Sequence, residues 1–222
     1  PYQLPNDTAY AETCAAIASI LWNHRLFNFF GEGRFMDVIE RTLYNGFLSG
    51  ISLDGRRFFY DNVLASNGKT HRKDWYFCAC CPTNIVRFLG SMGQLVYSCG
   101  DGEVYVNLYV AGTGQTTVNG QQVVVKQQTN YPWEGAVKIE VHPERREEFT
   151  ICLRIPGWCR EYGLRINGSP VDNGTTEDGY VRLRRAWQSK DLIEVDLAMP
   201  VERVYAHPNV EANVGKVAIQ RG

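Results

Sequence analysis

The 222-residue chain reads as an α+β protein in two parts, helices over roughly its first 95 residues and then an antiparallel β-sandwich. Three observations predict this. Apolar residues recur at intervals of three and four as far as Leu95. The texture changes to alternation after Tyr97, and Asn-Gly and Asp-Gly pairs punctuate the alternating part. The boundary falls near residue 97, dividing the chain into 1–97 and 98–222.

The first helix is expected around Ile17, Ile20 and Leu21, and the second around Phe35, Val38, Ile39 and Leu43. A third should begin at Pro82, where proline suits a first turn, and run through Ile85, Phe88, Leu89, Met92 and Leu95. Ser52 to Trp75 is irregular, with Asp54-Gly55 and Asn67-Gly68 as turn signals. Long loops of this kind are usually functional or mobile. The strands follow at Val104 to Leu108, Val123 to Val125, Val137 to Val141, Ile151 to Ile155, Leu164 to Ile166, Val181 to Leu183 and Ile193 to Leu197. Asn119-Gly120, Asn167-Gly168 and Asp178-Gly179 separate them, which suits a sandwich of two antiparallel sheets.

A net charge of −1, with 23 Lys and Arg against 24 Asp and Glu, argues against nucleic acid as a partner. The apolar runs are too short to span a bilayer, so no membrane partner is expected, and no charged leader precedes them. Seven cysteines, two of them adjacent, point to reduced thiols rather than a disulfide framework, and so to a reducing, cytoplasmic setting. Asn6-Asp7-Thr8, Asn167-Gly168-Ser169 and Asn173-Gly174-Thr175 match a glycosylation pattern too short to carry weight. The opening on Pro1 and a last strand pattern running to Gly222 suggest an internal piece of something longer.

Chemistry concentrates in Phe77-Cys78-Ala79-Cys80-Cys81-Pro82-Thr83-Asn84, three thiols just ahead of a helix start. A thiolate is both a soft metal ligand and a nucleophile, and either use suits the electropositive end of a helix. Glu12 and Cys14 would complete one oxygen and three sulfur ligands with Cys80 and Cys81, a set that Zn2+ accepts in tetrahedral form. Residues i and i+2 face apart on a regular helix, so Glu12 and Cys14 must precede the first helix or lie in its first turn. The competing reading makes Cys14 a small core residue and Glu12 part of a solvated face. For Cys80 and Cys81 the competitor is a closed structural zinc site. Cys78 fits the metal set less clearly, while Cys99, Cys152 and Cys159 read as buried structural thiols.

Leu4-Pro5-Asn6-Asp7-Thr8-Ala9-Tyr10-Ala11-Glu12-Thr13-Cys14-Ala15, Trp22, Arg25-Leu26-Phe27, Glu40 ahead of Tyr44-Asn45, Phe59-Tyr60, Cys80-Cys81-Pro82-Thr83-Asn84 and Arg154-Ile155-Pro156-Gly157-Trp158 follow in order. Together they resemble the cysteine-dependent β-L-arabinofuranosidases of glycoside hydrolase family 127. The resemblance implies a retaining glycosidase in which an (α/α)6 barrel precedes β-sandwich domains. It implies Glu12, Cys14, Cys80 and Cys81 as zinc ligands, Cys80 as nucleophile, and Glu40 and Tyr60 as substrate contacts. For the last two the alternatives are a solvated helix face and a core aromatic. His71 reads as a surface residue, and Trp75 and Tyr76 as sugar platforms or packing residues.

In this family the general acid/base glutamate lies in a Gly-Glu segment that would fall ahead of Pro1, and the earlier barrel helices with their sugar-binding histidines are likewise outside these residues. The expectation is therefore the metal and nucleophile part of a glycosidase, inactive by itself, with an arabinofuranose-containing carbohydrate as partner. Apolar surface left by a partial barrel would favour homo-oligomers. The alternative is a structural-zinc helical module joined to a carbohydrate-binding sandwich. A thiol redox protein ranks last, because adjacent cysteines close only a strained ring.

Overall fold

The structure is a computed structural model that describes residues 2–171 and 176–222. The Asn173-Gly174-Thr175 pattern lies outside the described residues. The chain forms two compact units. One gathers Pro1–Phe30, Asp37–Met92 and Val201–Gln220, and the other Gly31–Met36, Gly93–Pro200 and Arg221–Gly222.

In the first unit α1 spans Thr13–Phe30, and α2 (Gly33–Arg41), which belongs to this unit from Asp37 onward, runs on into a π-turn at Thr42–Phe47 and a 3-10 turn at Leu48–Gly50. Ile17, Ile20 and Phe27 of α1 are buried, as are Ile39, Leu43 and Phe47, whereas Leu21 and Val38 face outward. Helix α3 spans Cys80–Leu89, so it starts two residues before the expected Pro82. Proline still lies within the first turn, where its missing N–H costs nothing because those donors lack intrahelical partners. The consequence is that both cysteines enter the helix. Cys81, Ile85 and Phe88 recur at four and three and form its buried face, with Phe88 edge-on to Phe47 at 4.9 Å.

Residues 51–79 are mostly irregular, as expected, and are tied by single bridges between Ile51 and Phe58 and between Phe58 and Lys73. The 201–220 segment joins this unit through Asn6, which donates to Ala212 O at 3.2 Å and Asn213 Oδ1 at 2.8 Å, and through Tyr2 stacked on His207.

The second unit holds β1 (Tyr97–Gly100), β2 (Glu103–Val106), β3 (Gly112–Val118), β4 (Gln121–Thr129), β5 (Ala136–Pro143), β6 (Glu147–Arg154), β7 (Tyr162–Ile166), β8 (Ser169–Pro170), β9 (Tyr180–Trp187) and β10 (Asp191–Leu197). Their order is β1-β2-β6-β9 in one sheet and β3-β4-β5-β10-β7-β8 in the other. Beyond them β11 (Val201–Val204) pairs with β12 (Ala218–Arg221), the strand read from the last residues.

The sandwich is not wholly antiparallel. β2 and β6 run parallel, with Val104 opposite Ile151 and Val106 opposite Leu153. Hydrophobic alternation is the same for either direction of pairing, so the sequence pattern could not distinguish them. At Asn119 and Gly120 φ is 49° and 76°, the left-handed pair that a two-residue hairpin demands. Alternating residues such as Val104, Val123, Ile139, Ile151 and Ile193 meet in one core. Within the same unit Arg154 is fully buried, and its Nε donates to Asn107 O at 2.6 Å while Tyr180 Oη donates to Asn107 Oδ1 at 2.8 Å.

Cys152 is buried and Cys159 half-buried, but Cys99 is exposed, contrary to expectation. It sits in β1, an edge strand whose second half faces outward. No helix among the described residues is long and apolar enough to cross a membrane.

Candidate metal centre

Glu12 is extended, in a bridge with Asp61, and α1 begins at Thr13. The Glu12 carbonyl accepts the Ala16 N–H at 3.1 Å, so Glu12 is the half-in residue at the helix start and Cys14 lies in the first turn. This junction between extended and helical backbone lets i and i+2 converge, meeting the demand set by the spacing. Thr13, fully buried, locks it. Its N–H donates to Tyr60 O at 3.0 Å and its Oγ1 to Phe59 O at 2.9 Å. Asn62 donates through Nδ2 to Ala11 O at 3.0 Å and to Thr13 Oγ1 at 3.1 Å, and receives Ser49 Oγ at 3.1 Å.

From the other side, the first turn of α3 presents Cys80 and Cys81. The ligand atoms of Glu12, Cys14, Cys80 and Cys81 all lie within 4.8 Å of one another. Cys14 Sγ is 3.5 Å from Cys81 Sγ, and Cys80 Sγ is 3.8 Å from it. Glu12 Oε1 is 3.6 Å from Cys80 Sγ and 3.9 Å from Cys81 Sγ. Around an ion with metal–sulfur bonds of about 2.3 Å, tetrahedral sulfurs stand about 3.8 Å apart, and a sulfur and an oxygen about 3.5 Å. The four printed separations, 3.5 to 3.9 Å, are close to those values, so the donors stand near a tetrahedral arrangement.

The thiols have unequal surroundings. Burial pushes Cys81 well above the ordinary thiol range. Burial also raises Cys14, against the lowering effect of the Asn84 hydrogen bond. Cys80 is held low, chiefly by a hydrogen bond from the Tyr60 hydroxyl, and the same bond raises Tyr60. Burial, and then the nearby Glu12 charge, raise the Asp61 carboxyl, whose buried Oδ1 has no hydrogen-bond partner.

Other residues singled out in the sequence take varied places. Tyr60 sits at the cluster through Cys80, between the rings of Tyr10 and Tyr76. Glu40 is on α2 and only 5% exposed, so it is not a solvated face, and it lies outside the group of four donors. Cys78 is exposed and also outside that group, and His71 and Trp75 are exposed. Tyr76 Oη donates to Phe58 O at 2.8 Å and accepts the Tyr60 N–H at 3.1 Å, which makes it a brace for the loop. A hollow of about 580 Å³ borders Glu12, Asn45, Ser49 and Asn62, but Cys80 does not line it.

Sequence reasoning missed three contributors: Thr13, Asn62 and Asn84, which donates through Nδ2 to Cys14 Sγ at 3.1 Å. Thr13 and Asn84 stood inside the quoted segments, and their position beside candidate ligands was the available signal.

Residues 1–94 match the catalytic-domain model of the β-L-arabinofuranosidases of family GH127, and residues 103–199 match the middle-domain model of the same family. A non-reducing end β-L-arabinofuranosidase from Bifidobacterium longum is 36% identical, over the whole of this chain and 36% of its own length. The solved structure of a GH127 β-L-arabinofuranosidase from Geobacillus stearothermophilus T6 superposes with a TM-score of 0.94 at 46% identity, covering this whole chain and 37% of the other. A second solved GH127 β-arabinofuranosidase gives 0.96 at 42% identity, again covering this whole chain and 37% of the other. The chain thus spans little more than a third of the length of these relatives, and over that span it belongs to the β-L-arabinofuranosidase family GH127 of glycoside hydrolases.

Proposed function

We propose that this chain carries the metal and nucleophile portion of a retaining glycoside hydrolase acting on β-L-arabinofuranosides. The four-donor cluster carries the proposal, since its residues are the ones the family resemblance implies as ligands. Zinc is the metal proposed, held by Glu12, Cys14, Cys80 and Cys81, because three sulfurs and one oxygen form a tetrahedral set that suits it. When bound, zinc would keep the thiols deprotonated near neutral pH.

Cys80 is the proposed nucleophile. Its Sγ forms a bond to the anomeric carbon as the bond to the leaving oxygen breaks, and that oxygen keeps the electron pair and takes a proton from a general acid. Water then attacks the same carbon, gives a proton to the general base and expels the sulfur, so that configuration is retained overall. Tyr60 steadies the sulfur with its hydroxyl, and Tyr60 and Glu40 are proposed to contact the sugar. Residues 1–97 are proposed to be the C-terminal helical part of an (α/α)6 barrel, and 98–222 a β-sandwich domain.

The partner is proposed to be a glycan containing L-arabinofuranose. Seven free cysteines favour a reducing, cytoplasmic setting. Exposed apolar side chains such as Trp22, Phe29 and Val86 favour self-association of the isolated chain. By the family resemblance the general acid/base would fall outside these residues, so the 222-residue chain is proposed to turn over arabinofuranosides poorly, since that loss alone costs about 10²- to 10⁴-fold.

A closed set of four protein ligands is also the mark of a structural zinc site. That observation favours a second reading, a non-catalytic zinc module beside a carbohydrate-binding sandwich. Elemental analysis should find close to one zinc per chain, and none would count against both readings. In the full-length protein, Cys80→Ser should abolish turnover while fold and metal largely persist. Unfolding together with metal loss would favour the structural reading.

A further inference from the structure

Asn84 closes the Cys80-Cys81-Pro82-Thr83-Asn84 segment, and the chemistry proposed above does not use it. It follows Cys80 by four residues on α3, with Arg87 three further on, so the three share one helix face. Arg87 Nη2 donates to Asn84 Oδ1 at 2.6 Å, and Asn84 Nδ2 donates to Cys14 Sγ at 3.1 Å. The orientation of the amide follows from this arrangement. A guanidinium has only donors, so it takes the carbonyl end and leaves the NH2 group for the sulfur. Each hydrogen bond also polarises the amide in favour of the other.

We infer that Asn84 is a positioning residue of the metal centre, its amide turned by Arg87 so that an N–H donates to Cys14 Sγ and holds that sulfur as a ligand. The inference rests on the metal-centre reading. Three thiolates and a carboxylate around a divalent ion leave net negative charge on the ligands, in a site where Cys81 is wholly buried. An N–H aimed at one sulfur offsets part of that charge and fixes the side chain before the ion arrives. Cys14 is where the compensation is placed, because Asn84 stands one turn of α3 after Cys80 and its short amide reaches the Cys14 sulfur of α1.

Cobalt(II) titration of the chain, followed by visible absorption and by zinc competition, tests this. The wild-type chain should give a thiolate-to-cobalt charge-transfer band. Asn84→Ala should move that band to lower energy, because a sulfur without its N–H donor is the better electron donor, and should weaken metal binding about tenfold or more. Asn84→Asp keeps the shape and the Arg87 contact but puts a carboxylate against the sulfur, so it should bind more weakly still. Arg87→Ala should shift the band in the same direction by less.

A merely structural asparagine predicts the opposite order, with the isosteric Asn84→Asp close to wild type. An unshifted band and unchanged affinity in Asn84→Asp would overturn the inference. If neither Asn84 variant folds, Arg87→Ala, at an exposed position, decides by whether its band moves. Absence of any charge-transfer band in the wild-type chain would instead overturn the metal-centre reading, and this inference with it.

Discussion

The Sγ atoms of Cys80 and Cys81 lie 3.8 Å apart on adjacent residues of one helical turn. A disulfide would need about 2 Å. The two thiols are instead separate donors with separate environments, Cys81 buried and Cys80 half-buried beside the Tyr60 hydroxyl.

Thiol reactivity should follow those environments. In the metal-free chain, iodoacetamide should label Cys80 faster than Cys14 or Cys81, since the thiolate reacts and only Cys80 is held low. Cys152, buried and pushed up to about 12, should resist labelling until the chain unfolds. Tyr60→Phe should slow labelling of Cys80, and added zinc should suppress it. Peptide mass spectrometry over time reads all of these, and equal rates at Cys80 and Cys81 would contradict them.

Gly50 is predicted to be irreplaceable for the ligand loop. A Cβ there would lie 2.6 Å from Thr13 Oγ1 and 2.9 Å from its methyl carbon. Gly50→Ala should therefore displace Thr13, weaken its bond to Phe59 O and cost about 1–3 kcal/mol. Thermal unfolding should show the loss, and a Thr13→Ala/Gly50→Ala pair should cost less than the sum of the two single changes, because the clash is shared.

In the sandwich, Arg154→Met should destabilise by about 1–3 kcal/mol in urea unfolding. The substitution takes a charged donor from the buried Asn107 carbonyl and puts nothing polar in its place. A neutral effect would mean that methionine packing compensates fully, as it can when a buried charge is replaced by well-fitted apolar volume.

Acid sensitivity is expected from His24 on α1, whose pKa burial lowers below its ordinary value of 6.5. Above that value the imidazole is neutral whether the chain is folded or not, and stability is undiminished. As pH falls below it, the unfolded chain takes up the proton first, so stability declines until the folded pKa is passed. The unfolding midpoint should drop between pH 7.5 and pH 5, and His24→Gln should flatten that drop. An identical pH profile in the variant would remove His24 from the account.

Much of this protein was legible in its residues. Periods of three to four marked α1, α2 and α3, alternation marked the strands, and Asn119-Gly120 marked a hairpin, because each signal is local in the backbone geometry that produces it. Candidate ligands were legible too, since Glu12, Cys14, Cys80 and Cys81 are of types that carry metal chemistry whatever their surroundings.

What the sequence could not decide was pairing across distance. The parallel run of β2 beside β6 depends on chain direction, which alternation does not encode. The start of α3 at Cys80 rather than Pro82 depends on a first turn whose donors need no helical partner. The convergence of Glu12 with Cys80, 68 residues later, exists only because Thr13 and Asn62 lock the start of α1 while α3 packs beside it. Asn84 shows the limit most clearly. Its amide faces Cys14 because Arg87 holds the other end, a relation of three side chains that only the folded molecule brings together.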